Sequence, residues 1–517
     1  MKRIKFILPL IAGFMLFSCS DYLDVNQSPN DPTSASVTPN LSLAAAQSDS
    51  YRNLTRRMNE YGNVFMNNWG ANVNSFTGGY AEEFGITLSN NFYDDIWDGV
   101  YRSTGLYSRI INHPASGYDN HKAIAKICKT FYFQYLVDLY GDVPYSEAHQ
   151  GVNVVTPKYD DDKAIYRDLV VQLESAIDMI DNAPAGTNTV GAEDVILGGD
   201  MTAWKQFANT LKLRILLRQS ELTDAETTTY LAGEFAELAS ASFVDQDVTI
   251  NPGYSSGSDD RQNPWMNLMV ELAKDANGNF VQRNTFRFRR ASAYIAGQLN
   301  STSDPRRSRI FAPVTGTNIT GVIQGDQSAL NGGGTAPPAI SSLGPGLVKD
   351  NGQDGYMMLA AESFLLQAEA VHKGYLTGNA QALFDQAITA SMAMFGIVDG
   401  ATTPVADYIT SINGTLGKGY GAAGATPEQQ LEAIFYQKSI ALNGINGAEI
   451  FVEYTRARKN GNPLIDENIP MPLNSVTPTG NKPRRLMYPI SEYASNSANV
   501  PVQTIQDAYN TAPFWFE

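Results

Sequence analysis

Histidine, a frequent zinc ligand, is rare in this sequence, and the spacing of its histidines does not suit a zinc site. The four histidines occupy positions 113, 121, 149 and 372. A metalloprotease zinc site needs two imidazoles one helical turn apart, and no two of these histidines have that spacing. Asp275-Ala-Asn277-Gly-Asn279 begins like a calcium loop, but Phe280 replaces the required Gly and Phe286 the bidentate Glu. The sequence therefore predicts a turn here, and no metal or other cofactor.

The sequence also lacks the motifs of common enzyme classes. Gly414 to Gly419 is rich in glycine, but it lacks the Ser or Thr of a phosphate-binding loop. No Gly-x-Ser-x-Gly elbow occurs, and acids are too numerous for a glycosidase pair to be recognised. These absences weaken an enzymatic interpretation without excluding it. A formal charge of -16 argues against nucleic acid as a partner, because Lys and Arg supply most of the affinity for phosphates.

Cys19 is the residue whose position points most directly to a covalent modification. Three basic residues among the first five precede an uncharged run over 6–17, which is typical of a secretory signal and too short to span a membrane. The run ends in Leu-Phe-Ser-Cys19, which resembles a bacterial lipoprotein signal. We therefore predict that residues 1–18 are removed and that Cys19 is acylated, several acyl chains giving a stable anchor. An ordinary signal cut at small residues is the alternative.

The second cysteine, Cys128, is predicted to be structural. It lies at helical spacing with Ile124, Phe131 and Tyr135, which is typical of a small buried apolar residue rather than a nucleophile. Once Cys19 is acylated, Cys128 has no partner for a disulfide. The fold must then be stabilised by packing alone.

Hydrophobic periodicity predicts a mainly α-helical chain. Residues 19–40 are rich in Asn, Ser, Pro and Asp and are predicted to form a lipidated flexible tether. Beyond the tether, apolar residues recur every three or four positions. The segments 357–373 and 380–395 form a pair whose period is close to that of a tetratricopeptide unit. We expect tetratricopeptide-like helical hairpins in a right-handed superhelical stack, all within one domain over 41–517.

Two segments interrupt this rhythm and are predicted to be long irregular loop insertions, at about 243–355 and 398–425. Residues 329–355 alone contain seven Gly and three Pro, which is too many for the interior of a helix or strand. Asn277-Gly278 is the signal of a type I′ turn, so we expect a short β-hairpin in the first insertion. Loops of this length are usually functional, and both insertions are candidates for mobility or for contact with a partner. The alternative is that they pack on the helical stack.

Aromatic and amide side chains near the predicted loops are the candidate ligand contacts. Trp69, Asn72 and Tyr80 lie in a stretch that also contains three Gly, a composition poor for a packed helix. Asn263 and Trp265 lie in the first insertion. Aromatic faces stack on sugars or on peptide side chains, and amides fix the orientation of the ligand. The alternative is that Trp69 and Trp265 belong to the core or to an interface.

Short motifs along nearly the whole chain carry a family resemblance when they are taken in order. They are Cys19 followed by Asp21 to Asn26, then Trp97 to Tyr101, Tyr140 to Ala148, Trp204 to Asn209, Asn263 to Trp265, Asp304 to Arg306, Ala361-Glu362, Ala368 to Ala370, Gln437-Lys438, Glu453 to Arg456 and Arg485 to Pro489. In this order they resemble the SusD/RagB family of nutrient-binding outer-membrane lipoproteins, in its branch with tetratricopeptide-like helices.

The resemblance implies a protein without catalytic activity that captures an oligosaccharide or a peptide at the cell surface. It implies that lipidated Cys19 anchors the protein in the outer membrane, where it acts as the lid of a SusC-like TonB-dependent transporter barrel. A secreted lipid-anchored hydrolase and a helical-repeat scaffold for other proteins are the alternatives. Most of the motifs look architectural, because buried charges such as Glu369 and Arg456 require partners, and we expect internal ion pairs.

Overall fold

The computed structural model describes residues 36–71, 80–326, 340–457, 469–477 and 481–516, and these residues are mainly helical, which confirms the predicted fold class. Cys19, Asn72 and the predicted signal sequence lie outside them. The first group of helices comprises α1 (Pro39–Asn53), α2 (Asn59–Phe65), α3 (Ala81–Gly85), α4 (Asp94–Ile111), α5 (Asp119–Tyr140), α6 (Asp162–Asp181), α7 (Met201–Arg218) and α8 (Ala225–Glu237). A π-helical turn, Leu54–Met58, joins α1 to α2.

The remaining helices fall into a middle and a C-terminal group. The middle group comprises α9 (Pro264–Met269), α10 (Asn284–Phe288), α11 (Ala293–Ser301) and α12 (Arg307–Ile310). The C-terminal group comprises α13 (Ala360–His372), α14 (Ala380–Met394), α15 (Pro404–Ile412), α16 (Pro427–Leu442), α17 (Gly447–Ala457), α18 (Ile490–Ser495) and α19 (Asp507–Asn510). Among the described residues, no helix combines the length and the apolar character that crossing a membrane requires.

Helices that follow one another in the chain pack side by side. In the first group α4 packs on α5, α5 on α6 and α6 on α7, while α1 lies against α4. In the C-terminal group α13 packs on both α14 and α16. The two groups meet where α13 lies against α7 and where α17 lies against α2.

Side-chain caps fix where several of these helices begin. Asp161, Asp200 and Asp224 precede α6, α7 and α8, and each carboxylate accepts a hydrogen bond from a backbone amide of the first turn. Thr426 and Gln429 form a reciprocal capping box at the start of α16. These caps are local in sequence, so each helix start is marked by residues within one turn of it.

The described residues also form three two-stranded antiparallel sheets. Their strands are β1 (Trp69–Ala71) paired with β5 (Arg289–Ala291), β2 (Val248–Ile250) with β6 (Gly355–Met358), and β3 (Val270–Lys274) with β4 (Phe280–Gln282). The third sheet is the hairpin predicted from Asn277-Gly278, so the hairpin is confirmed. Its turn is not type I′, because Gly278 has a positive φ and Asn277 does not.

The predicted irregular insertions contain more helix than expected. The first insertion holds α9 to α12, and the second holds α15. Pro404 begins α15 at a position where proline is favoured, and Val405, Tyr408 and Ile412 bury one face of it. The predicted tether is also too long at its C-terminal end, because α1 begins at Pro39.

Helices α2 and α17 approach each other too closely for side chains to intervene. A Cβ atom on Gly62 would lie 1.7 Å from the carbonyl oxygen of Gly447, so only glycine fits at this crossing. Asn59 Nδ2 donates to the carbonyl oxygen of Gly444 at 2.9 Å, and Asn59 Oδ1 accepts from the amide of Gly447 at 3.0 Å. This contact joins the N-terminal helices to the C-terminal ones.

Several of the motif segments meet in one aromatic cluster. The ring of Trp97 lies 4.9 Å from that of Tyr140 and 6.0 Å from that of Tyr488, measured between centroids. The Tyr488 hydroxyl donates to the carbonyl oxygen of Asp142 at 2.9 Å, and the Tyr101 hydroxyl donates to that of Pro144 at 2.6 Å. The architectural interpretation of these motifs is confirmed.

A continuous network of buried charges connects helices from both groups. Arg218 on α7 lies 2.6 Å from Glu449 on α17 and also pairs with Glu453. Arg456 on α17 pairs with Glu369 on α13 and with Glu453, in each case at 2.7 Å. All five side chains are at most 3% exposed, so water cannot substitute for a missing partner.

Further ion pairs extend this network to α5 and α16. Arg218 lies 3.6 Å from Asp138 on α5, and Lys438 on α16 lies 3.1 Å from Glu453. Arg214 on α7 lies 3.1 Å from Glu362 on α13. Burial alone would raise the pKa of the Glu369 carboxyl, but the charge of Arg456 and its hydrogen bonds hold that pKa at about 2. The internal ion pairs expected from polar residues on apolar helices are confirmed.

We predict that Arg456→Met lowers the free energy of unfolding at pH 7 by about 3–5 kcal/mol, because it leaves the Glu369 carboxylate buried without its partner. The pKa of Glu369 is lower in the folded protein than in the unfolded chain, so the pair stabilises above about pH 5 and loses its effect as pH falls towards 2. The difference between parent and variant should shrink over the same range.

Denaturant titration at several pH values measures this effect. Arg102→Met is the matched control, because Arg102 forms an exposed pair with Asp49 and its loss should cost about 1 kcal/mol or less. Equal losses for the two variants would contradict a structural role for the buried network.

Candidate ligand-binding cleft

The β3–β4 hairpin stands at the edge of an open cleft, and its tight turn is fixed by one carboxylate. Asp275 Oδ1 accepts hydrogen bonds from the amides of Asn277 at 2.9 Å and Asn279 at 2.8 Å. Gly278 has a φ of 80°, a left-handed conformation that glycine adopts without strain. The residues that begin like a calcium loop thus form the predicted turn, and the hydrogen bond from Asn279 lowers the pKa of Asp275.

The cleft has a volume of about 940 Å³ and lies between the hairpin, α10 and the segment before β6. Its lining combines aromatic rings, amides, a hydroxyl and a guanidinium: Asn279, Phe280, Gln282, Phe286, Arg287 and Ser342, among others. Phe286 is buried, whereas Phe280 is half-buried, and Asn279, Gln282 and Arg287 are exposed. The polar ends of these side chains are therefore accessible from solvent.

Phe280 is the aromatic side chain that this cleft offers to a ligand. It pairs across the hairpin with Lys274, whose Nζ lies 4.9 Å from the centroid of the Phe280 ring. An aromatic face packs well against the apolar face of a sugar ring, and nearby amides supply donors and acceptors for hydroxyl groups. The cleft has the chemistry of a binding site for a polar ligand with apolar faces.

Trp69 and Trp265, both predicted to contact a ligand, lie in the core. Trp69 is 0% and Trp265 4% exposed, and their rings pack together with centroids 5.9 Å apart. Trp265 Nε1 donates to the carbonyl oxygen of Leu347 at 2.9 Å. This burial supports the packing alternative that the sequence left open, and contact of either ring with a ligand stays a prediction.

Tyr80 and Asn263 are also buried, and their polar atoms have internal partners. The Tyr80 hydroxyl donates to Glu60 Oε1 at 2.8 Å. Asn263 caps α9, because its Oδ1 accepts from the amides of Trp265 and Met266, and its Nδ2 donates to the carbonyl oxygen of Gln353. Both residues stabilise the fold in these positions, and Asn72 lies outside the described residues.

Among the residues that the structure describes, two groups of carboxylates lie close enough together to share a cation: Glu174, Glu234 and Glu237, and Asp142, Asp161 and Asp162. The first group surrounds Lys212, whose Nζ lies 2.5–2.7 Å from all three carboxylates. In the second group, each carboxylate accepts a hydrogen bond from a backbone amide. Internal donors thus satisfy both groups.

Comparison with protein families identifies the fold. The model of the SusD-like family described as "Starch-binding associating with outer membrane" matches residues 29–489, well over half of the chain. The chain belongs to the SusD-like family. The resemblance to SusD/RagB proteins seen in the sequence is thereby confirmed. Comparison with curated proteins gives no match.

Solved structures of SusD-like proteins share this architecture. A chitin-binding SusD homologue from Flavobacterium johnsoniae is 21% identical, with a TM-score of 0.70 over 92% of this chain and 98% of that one. A SusD homologue from Bacteroides fragilis is 18% identical, with a TM-score of 0.69 over 90% and 95% of the two chains. A further chitin-binding protein is 22% identical, with a TM-score of 0.67 over 89% and 95%. These similarities show a common fold.

The sequence signals for the cleft of this SusD-like protein were visible but were interpreted only as structure. In the sequence, Phe280 and Phe286 occupy positions where a calcium loop needs Gly and Glu, and that pattern assigns them no ligand role. Phe280 lies on β4, directly after the turn, and is half-buried, whereas Phe286 lies on α10 and is buried. An aromatic residue directly after a hairpin turn signal is the clue that could have found the cleft.

We predict that Trp69→Ala and Trp265→Ala each destabilise the protein by about 3–5 kcal/mol, because each leaves a large cavity in the core. Phe280→Ala is the matched control, since its half-buried ring should cost about 1 kcal/mol or less. Urea unfolding of the purified proteins measures the three values. A Trp265→Ala protein as stable as the parent would show that this ring does not support the core.

Proposed function

We propose that this SusD-like protein is a glycan-binding lipoprotein without catalytic activity, which captures an oligosaccharide at the outer membrane in the cleft beside the β3–β4 hairpin. The observation that carries the proposal is the match over residues 29–489 to a family described as starch-binding and associated with the outer membrane. The sequence alone left an oligosaccharide and a peptide equally open. The family description favours the oligosaccharide.

The chemistry of the cleft supports this ligand class. A half-buried aromatic ring, Phe280, lies beside the exposed amides of Asn279 and Gln282. Sugars present apolar faces and hydroxyl groups together, and such a lining can satisfy both at once. The side chains lie on a hairpin and a short helix that are anchored to the core, so little ordering is needed on binding.

The same lining argues against the alternative of a hydrolase. A glycosidase uses two carboxyl groups at a fixed separation across the scissile bond. Among the described residues that line the cleft, Asp275 is the only one with a carboxyl group. Its Oδ1 already accepts hydrogen bonds from two backbone amides of the hairpin turn. The proposed activity is therefore capture and release.

We further propose that acylated Cys19 holds the protein at the cell surface as the lid of a SusC-like TonB-dependent barrel. The first described helix begins at Pro39, and the composition of the sequence between Cys19 and that helix predicts a flexible tether. Capture over such a barrel would deliver the bound oligosaccharide directly to the transporter.

Titration with oligosaccharides tests the binding proposal. We expect saturable binding of at least one member of a panel that includes malto- and chito-oligosaccharides, with no change in chain length after prolonged incubation. Phe280→Ala should weaken binding about tenfold while the protein stays folded. Phe243→Ala, a partly buried ring outside the cleft, is the control. Release of new reducing ends would instead support the hydrolase.

Purification from detergent extracts tests the proposed partner and anchor. We expect the native protein to recover a large β-barrel transporter and to carry labelled fatty acid. Cys19→Ala should lose both the label and retention in the membrane fraction, because a single residue carries the anchor. A consistently solitary protein at native expression would contradict the lid role, and undiminished acylation of Cys19→Ala would contradict the anchor.

A further inference from the structure

A second groove adjoins the cleft and is lined mainly by cationic and amide side chains. It has a volume of about 470 Å³ and lies between the π-helical turn, α9 and the hairpin. It shares Val281, Gln282 and Arg287 with the cleft. Its polar lining consists of Arg56, Asn267, Glu271, Gln282, Arg283, Asn284, Thr285 and Arg287. Three guanidinium groups thus face one carboxylate in this groove.

Arg56 is held in place by neutral groups. Its Nε donates to the carbonyl oxygen of Pro264 at 3.2 Å, and its Nη2 donates to Asn267 Oδ1 at 2.8 Å. Among the described residues, no carboxylate lies within 4.0 Å of Arg56, and its Nη1 makes no hydrogen bond. Burial, together with the charges of Arg52 and Arg283, lowers the pKa of Arg56 to about 10. The guanidinium is fixed in orientation but not neutralised.

The neighbouring guanidinium groups are only partly neutralised. Arg283 donates to the carbonyl oxygen of Val270 at 3.0 Å, and its one ion pair, at 3.1 Å, is with the exposed Asp259. Arg287 is exposed, and the described residues offer it no ion pair. Arg52, one helical turn before Arg56, is also exposed and has no ion pair among the described residues. Like charges are therefore concentrated here.

Other arginines near the groove form ion pairs with carboxylates, so the unpaired guanidinium groups of the groove are unusual for this protein. Arg57, next to Arg56 in the chain, pairs with Asp95 at 2.9 Å and with Glu60 at 3.1 Å. Arg102 pairs with Asp49 at 3.2 Å. In a chain of formal charge -16, carboxylates are plentiful, and yet the groove contains cations without close partners. A bound anion would relieve their mutual repulsion.

We propose that this groove binds an anionic substituent of an acidic oligosaccharide, a sulfate ester or a uronate carboxylate, while the adjoining sugar rings lie against Phe280 in the cleft. Guanidinium groups bind planar or tetrahedral oxyanions through paired charge-assisted hydrogen bonds, which neutral hydroxyl groups cannot match in strength. The proposal rests on the proposed glycan-binding function and narrows its ligand class to acidic glycans.

Titration calorimetry with chain-length-matched oligosaccharides tests the proposal. The panel contains a neutral maltohexaose, an oligogalacturonate hexamer and a chondroitin sulfate hexasaccharide, which carries both sulfate and uronate, together with its desulfated form. We expect at least one anionic member to bind about tenfold more tightly than the neutral one, and its affinity to fall as salt rises from 20 to about 500 mM. If desulfation abolishes binding, the sulfate is the group that the groove recognises. If binding is retained, the uronate carboxylate is that group.

Substitutions in the groove separate this proposal from the general one. Arg287→Gln removes an exposed charge and should weaken binding of the anionic glycan severalfold, and Arg56→Gln should weaken it about tenfold. Arg109→Gln removes an exposed charge from α4, away from the groove, and should leave the affinity unchanged.

The possible outcomes distinguish the two proposals. Tighter binding of the neutral glycan, or groove variants that bind the anionic glycan like the parent, would overturn the anionic class while leaving glycan capture intact. Failure of every oligosaccharide to bind the folded protein would overturn the proposed function, and this inference with it.

Discussion

The buried charges between α5, α7, α13, α16 and α17 constrain the whole helical framework. Arg218 and Arg456 each contact two carboxylates from which solvent is excluded. A charge left without a partner in such a place is costly, so no helix can shift without disturbing the others. Apolar packing could hold the helices together in several registers, whereas the ion pairs restrict them to one.

That framework also fixes the base of the binding surface. Arg306 pairs with Asp304 at 2.7 Å and donates to Gln437 Oε1 at 2.7 Å, which ties the first insertion to α16. Trp265 on α9 packs against Trp69 and donates to the carbonyl oxygen of Leu347, next to Val348 in the lining of the cleft. The side chains of the cleft and the groove therefore extend from anchored backbone, which limits the entropy lost when a ligand binds.

The sequence allowed much of this framework to be predicted, because its signals are local. Apolar periodicity located the long helices, and charged residues on apolar helices such as Glu369 and Arg456 predicted internal pairs. Helix α15 was missed because the segment around it is rich in Gly and Thr, although Pro404 and the spacing of its apolar residues indicate a helix. Such a short helix depends on packing against α14 as well as on its own sequence.

The candidate site was harder to predict because it depends on which distant residues converge. Trp69 and Trp265 lie among residues typical of loops, and their burial follows from contacts with each other and with Leu347. Arg56 and Arg283 are far apart in the chain and meet only because α9 and the hairpin bring them to one groove. Neither hydrophobic periodicity nor composition predicts that residues so far apart in the sequence lie close together in the fold.

The groove also shows that the net charge of the chain does not determine which ligand charge a local site prefers. A formal charge of -16 disfavours a partner such as nucleic acid, which needs many cations along an extended backbone. Exposed carboxylates more than about 8 Å away are largely screened at physiological salt, so they act mainly on the approach of a ligand. Within a partly enclosed groove the nearest charges dominate, because water screens them less. Arg56 and Arg287 can therefore favour an anionic substituent although the chain as a whole is negatively charged.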